Sequence, residues 1–255
     1  GKVFKIISYE IPEADRLAKG RGILNFLEIS SQEKILTILP LGKEDLKSGI
    51  KYLVMITQNG IIKKTEISEF KNIRKSGLVA ISLQKGDLLK AVQKSTGDDE
   101  VILITKKGQA IRFKEKEARK MGRQASGLRG MRLKKEDAIV GMDIIKSEVR
   151  SQKSKVKSYL LVVMENGYGK RTDLKEYRLQ KRGGMGIKTA KIGQKTGDLV
   201  FAKLISSQED LILVSQKGKV MRTKISLIPK LSRATQGVRI MKLEEGDHVA
   251  SATCI

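Results

Sequence analysis

"YLVMITQNG", residues 52–60, is a strand-length apolar run that closes on a polar pair and a glycine. Consecutive apolar positions mean that both faces of such a strand are covered, and Asn-Gly is a tight-turn signal. The unit returns as "EVILITKKG" at 100–108, "YLLVVMENG" at 159–167 and "DLILVSQKG" at 210–218. Each turn is followed by a second strand ("IIKKTEI", "QAIRFKE", "YGKRTDL", "KVMRTKI") and a basic loop. Then come a third strand opened by glycine ("GLVAISL", "GLRGMRL", "GIKTAKI", "GVRIMKL"), an acidic or Gly-Asp turn, and a fourth apolar strand ("LLKAVQK", "AIVGMDI", "LVFAKLI", "HVASATC"). Four strands on a period of about 50 residues mark an all-β, propeller-like ring in which each sheet buries its faces on its neighbours. A plain β-sandwich also has hairpins of this kind, but a four-strand order repeated with matching turn residues argues against it.

The first 50 residues fit as a further copy entered at its second strand, with Gly1 in the turn position. "GILNFLEI" (22–29) and "KILTILPL" (34–41) are then its third and fourth strands. The single domain 1–255 divides into repeats at about 1–50 (incomplete), 51–99, 100–158, 159–209 and 210–255. The wider interval between Gly108 and Gly167 comes from the polar stretch 146–158, "KSEVRSQKSKVKS", which reads as a flexible linker. Starting inside a repeat and without methionine, the sequence reads as a piece of a longer chain.

The 52 Lys and Arg against 28 Asp and Glu give a net charge of +24. Solubility needs only about 2 to 8 charges in a small domain, so the excess points to an anionic partner. Nucleic acid leads, with an anionic surface or an acidic protein as the alternative. Cys254 stands alone, which excludes an internal disulfide framework and suits a reducing cytosol. The apolar runs are strand-sized, so no membrane span is expected and a cytoplasmic location is.

Aligning the repeats turns the charge into a pattern. Four residues after each turn glycine stands a basic side chain: Lys5, Lys64, Arg112, Arg171 and Arg222. The loop before the third strand is basic in every copy: Arg16, Lys19 and Arg21; Lys71, Arg74 and Lys75; Arg119, Lys120 and Arg123; Lys181 and Arg182; Lys230 and Arg233. Equivalent positions in a ring share height and radius, so these charges are expected to form a belt. Solvated edge-strand charges would serve against aggregation, but that role does not demand one sign at one place in every repeat. With 4% aromatics and no Trp, the chain lacks the stacking platforms of single-strand binders. Duplex DNA, contacted through its phosphates, is the expected partner.

"LQKRGGMGIKTAKIG" (179–193) holds the densest glycine cluster. Gly183, Gly184 and Gly186 leave backbone N–H groups open to a phosphate, with Lys181 and Arg182 supplying charge. A plain tight turn would use the same residues.

At these residues the sequence resembles the family of DNA gyrase A C-terminal domains, whose box motif reads Q-R-R-G-G-K-G. Here it stands as "QKRGGMG", Gln180, Lys181, Arg182, Gly183, Gly184, Met185 and Gly186. "IPEADRLAKGRGILNFL", "ENGYGKRTDLKEY" and "LSRATQGVRIMKLEEGD" also look like stretches of that domain. The resemblance implies a β-pinwheel, a propeller whose blades exchange strands. It implies that the domain binds, bends and wraps duplex DNA without sequence specificity, supporting ATP-dependent negative supercoiling by a holoenzyme. The remainder of gyrase A, together with gyrase B, supplies the implied protein partners. Family domains commonly carry six blades with the box in the first; here five copies are visible and the box-like loop is in the fourth. One blade of six is expected to lie outside these residues, and a five-bladed domain of the topoisomerase IV kind is the other reading.

No chemistry of its own is expected from this domain. The family's nucleophile is a Tyr next to an Arg, and none of Tyr9, Tyr52, Tyr159, Tyr168 and Tyr177 follows an Arg. No phosphate loop ending G-K-[ST] occurs, so ATP and Mg belong to the holoenzyme, and neither a small-molecule substrate nor a membrane partner is expected. His248, the only histidine, lacks a Cys/His cluster and reads as a packed or surface residue. Cys254 reads as a small buried hydrophobe, and Met55, Met164 and Met241 as core.

Overall fold

The computed structural model describes the chain except for Arg16 and residues 31–32, 147–157 and 206–209. The expected linker at 146–158 therefore lies almost wholly outside the described residues. The strands are β1 (Lys2–Val3), β2 (Tyr52–Thr57), β3 (Ile61–Glu66), β4 (Leu78–Val79), β5 (Leu89–Ser95), β6 (Glu100–Thr105), β7 (Gln109–Lys114), β8 (Leu128–Arg129) and β9 (Ile139–Ile145). They continue as β10 (Tyr159–Met164), β11 (Tyr168–Asp173), β12 (Ile187–Lys188), β13 (Leu199–Ile205), β14 (Asp210–Ser215), β15 (Val220–Lys224), β16 (Val238–Arg239) and β17 (Val249–Cys254).

These strands do not pair within their own repeats alone. The sheets run β5-β2-β3-β8, β9-β6-β7-β12 and β13-β10-β11-β16, so each second strand receives the third strand of the next repeat. β1 receives β4 in the same way, and the last sheet, β17-β14-β15, has three strands. The register is constant: Lys2 faces Val79, Ile61 faces Arg129, Gln109 faces Lys188 and Tyr168 faces Arg239. This strand exchange is the β-pinwheel.

Packing explains why the first strands are apolar at every position. Leu160, Val162 and Met164 of β10 pack toward β6 with Ile102 and Ile104, while Tyr159, Leu161 and Val163 pack toward β14 with Leu211 and Leu213. Alternate residues thus serve opposite neighbours. A third such core joins Val54 and Ile56 to Val101, Leu103 and Phe113. Met55, Met164 and Met241 are all buried. β9 packs against β5 and β13, and β13 against β17, so the fourth strands gather on the inside. The received third strands, at the opposite edge of each sheet, lie outermost.

The first copy departs from the sequence expectation. Lys2–Val3 is a strand, but residues 22–29 and 34–41 hold none; Ile23–Asn25 is a single 3-10 turn. Every fourth strand elsewhere pairs with the first strand of its own repeat, and this copy has no first strand within the 255 residues.

Candidate nucleic-acid interface

The rim is built from main-chain bonds between repeats. The carbonyl of Gly108 accepts from the amides of Thr189 (2.8 Å) and Ala190 (3.3 Å), and that of Gly167 accepts from Ile240 (2.8 Å) and Met241 (3.1 Å). The glycine opening each third strand makes this approach possible. A Cβ on Gly127, Gly186 or Gly237 would stand 2.7, 2.5 or 2.6 Å from the carbonyl oxygen of Ile62, Ala110 or Gly169. Gly186 of the box-like loop therefore serves blade docking, as its counterparts do.

The basic residue four places after the turn glycine is not on the rim in the three central blades. Lys64 and Arg171 are buried and Arg112 is largely so, with its side chain 15% exposed. Arg171 donates from Nε to the Ile228 carbonyl (2.7 Å) and from Nη2 to that of Ser226 (2.8 Å), with its guanidinium carbon 5.4 Å from the Tyr159 ring centre. Arg112 donates to the carbonyls of Leu174 (3.2 Å) and Tyr177 (3.0 Å) and pairs with Glu100 at 2.7 Å. Lys64 lies 3.5 Å from the buried Glu115 carboxylate. Apart from Glu100, which lies in Arg112's own repeat, these acceptors sit in or at the end of the 3-10 turn of the next repeat. These side chains are struts between blades, which corrects the expected belt. Lys5 and Arg222 remain exposed, Arg222 paired with Asp210 at 2.7 Å.

The loop arginines are half-buried and tied to the preceding repeat. Arg182 donates from its amide to Glu117 Oε2 (2.8 Å), from Nε to the Glu117 carbonyl (3.0 Å) and from Nη1 to the Arg129 carbonyl. Arg233 repeats this with Glu176 Oε2 (3.1 Å) and the Lys188 carbonyl (3.0 Å), and Arg123 lies 3.8 Å from Glu69. A glutamate nine residues after the turn glycine is the sequence signal for this pairing. In the box-like loop the Gly183 amide is also engaged, by the Gly130 carbonyl at 2.8 Å, and the Gly184 carbonyl accepts from Arg132 at 2.9 Å. Of the glycine amides expected to be open, that of Gly183 is thus committed to the fold, as is the neighbouring amide of Arg182. Gln180 is held through its amide by Arg112 (2.8 Å), whereas Lys181 and Met185 face solvent.

Lys5, Lys71, Arg74 and Arg123 come together around an open groove of about 730 Å³ between the first copy and the next two loops. Lys19, Arg21 and Arg119 are exposed as well, and Arg16 lies outside the described residues.

With this geometry, similarity to known proteins becomes informative. The family model described as DNA gyrase C-terminal domain, beta-propeller, matches residues 51–95, 99–146, 158–206 and 209–255. The chain belongs to this family. The DNA gyrase A protein of Staphylococcus epidermidis is 40% identical over 251 residues, 98% of this chain and 27% of the relative. That of Ureaplasma parvum is 39% identical over 98% of this chain and 28% of the relative. The chain thus spans about a quarter of the length of these gyrase proteins. Among solved structures, a DNA gyrase A C-terminal domain superposes with a TM-score of 0.81 at 30% identity, covering all of this chain and 79% of the other. A topoisomerase IV C-terminal domain gives 0.82 at 26% identity, covering 92% and 70%.

This gyrase-type domain carries further rim cations that the loop alignment passed over. Arg129 and Arg132, Lys188 and Lys191, and Arg239 and Lys242 are exposed on or just beyond the outermost strands of successive sheets. Their signal is a third strand reading G-x-[RK]-x-x-[RK], visible in "GLRGMR", "GIKTAK" and "GVRIMK".

Proposed function

We propose that this domain binds duplex DNA along its rim and bends the duplex around it, as a noncatalytic part of a cytoplasmic type IIA topoisomerase. Its partners would be the rest of gyrase A together with gyrase B, with ATP and Mg used elsewhere in the holoenzyme. The observation that carries this reading is the exposed basic pair at one register of three successive outer strands: Arg129 with Arg132, Lys188 with Lys191, Arg239 with Lys242. Lys5, Lys19, Arg21, Lys71, Arg74, Arg119, Lys181 and Arg222 extend this surface. Lys64, Arg112 and Arg171 act as struts, and Arg123, Arg182 and Arg233 hold the loops. Repetition at fixed radius suits a continuous polyanion. Contact through phosphates releases counterions, so for about six contacts log K should fall with log salt at a slope near −5. Fluorescence anisotropy with unrelated duplexes measures this; a flat response, or marked sequence preference, would contradict the proposal.

A further inference from the structure

Lys63 and Lys170 each stand three residues after a turn glycine and are fully buried. Neither has an ion-pair partner among the described residues. Lys63 Nζ instead donates to the carbonyls of Ala80 (2.7 Å) and Arg123. Lys170 Nζ donates to the carbonyls of Ser232 (2.5 Å) and Arg233 (2.6 Å) and to Thr235 Oγ1 (3.0 Å). An ammonium is costly to bury, and the fold does not demand one here, because Ile111 fills the same place in the intervening blade. What the two lysines share is their target: the main chain of the rim loop belonging to the next repeat.

We propose that Lys63 and Lys170 are positioning residues that hold the rim loops 119–127 and 230–237 in the shape that meets DNA. The inference rests on the DNA-binding reading above. A short polar loop loses conformational freedom when it docks on a duplex, and that loss weakens binding. An ammonium bonded to the loop's main chain, at Arg123 for Lys63 and at Ser232 and Arg233 for Lys170, removes the freedom beforehand, without itself touching a phosphate. In the box-like loop, above Ile111, the loop's own Arg182 and Gly183 make the restraining bonds, to Arg129 and Gly130. Arg233 makes the equivalent bond to the Lys188 carbonyl, so the loop 230–237 carries both restraints, whereas the box-like loop has only its own.

The test uses Lys63→Met and Lys170→Met in the 255-residue chain, with Thr235→Val as a milder variant that removes one acceptor from the loop side. Binding of a duplex is measured across a salt series, and amide hydrogen exchange is followed in the free protein. Each lysine variant should lose about five- to tenfold in affinity at fixed salt, with an unchanged salt slope. Exchange should quicken at 232–236 in the Lys170 variant while β10 and β14 stay protected, and Thr235→Val should show the same changes in weaker form. Unchanged affinity in folded variants would overturn the proposal. So would a slope reduced by about one per lysine, the mark of a direct phosphate contact, or protection lost throughout the sheets. If the parent chain fails to bind duplex DNA, the functional proposal falls instead, and the exchange difference still reports whether the lysines hold the loops.

Discussion

The amide of Gly130 donates to the carbonyl of Gly60 at 2.7 Å, although the two lie in neighbouring repeats. Every blade boundary in the described chain is closed by such bonds, so the turn glycines are interface residues as much as turn residues. Gly167 has φ +77° and a Cβ there would stand 2.3 Å from the Met241 carbonyl oxygen, whereas Gly218, with φ +84°, has nothing within 4 Å. Gly218→Ala should therefore lose only about 1–2 kcal/mol of stability to its left-handed backbone. Gly167→Ala should lose about 1–3 kcal/mol more, because the docked strand must move. Urea unfolding of the two variants measures the gap; equal losses would show that the neighbour's approach is not what the glycine serves.

Rim and strut cations should separate in the same assays. Lys188→Ala with Lys191→Ala should reduce the salt slope of DNA binding by about two, with stability changed by no more than about 0.5 kcal/mol. Arg171→Ala leaves the Ser226 and Ile228 carbonyls without their donor and should cost about 2–4 kcal/mol of stability. Unfolding midpoints and salt titrations run side by side check both, and a stability loss from the lysine pair would place them in the fold rather than at the surface.

Alkaline pH addresses the buried lysines. Burial pushes the ammonium groups of Lys63 and Lys170 from the usual 10.5 down to about 8; Arg123 and Glu69 face the first, Arg233 and Glu176 the second. Between about pH 8 and 10.5 the unfolded chain binds more protons at these sites than the folded one, so they make stability rise with pH across that window. Below pH 8 both states are protonated and the burial penalty is fully present. The stability of the parent relative to the Lys63→Met, Lys170→Met double variant should therefore shift in the parent's favour from pH 8 to 10. A flat difference would show that burial does not hold these groups down.

Much of the architecture was legible because each first strand is packed on both faces, and that leaves an uninterrupted apolar run such as "YLLVVM". The exchange of third strands was not legible from the run itself. "GIKTAKI" contributes two ladder residues, Ile187 and Lys188, to a partner in another repeat, and a two-residue pairing leaves no periodic trace. The position of Arg171 could be read but not its burial, since a guanidinium that satisfies carbonyls inside the fold has the same sequence signature as one awaiting a phosphate. Residues 22–29 and 34–41 read as strands by apolar pattern, yet a strand forms only where another is present to pair with it.

A convex rim of repeated cations should bend the duplex it binds. Bending 20–30 bp by 40–90° costs roughly 1–6 kcal/mol, which several phosphate contacts offset. Energy transfer between dyes at the two ends of a fragment of about 40 bp, far below the persistence length of about 150 bp, reports this directly. Addition of the domain at low salt should raise the transfer efficiency, and the rise should disappear as salt releases the protein. Ends that stay as far apart in the saturated complex as in free DNA would contradict the account.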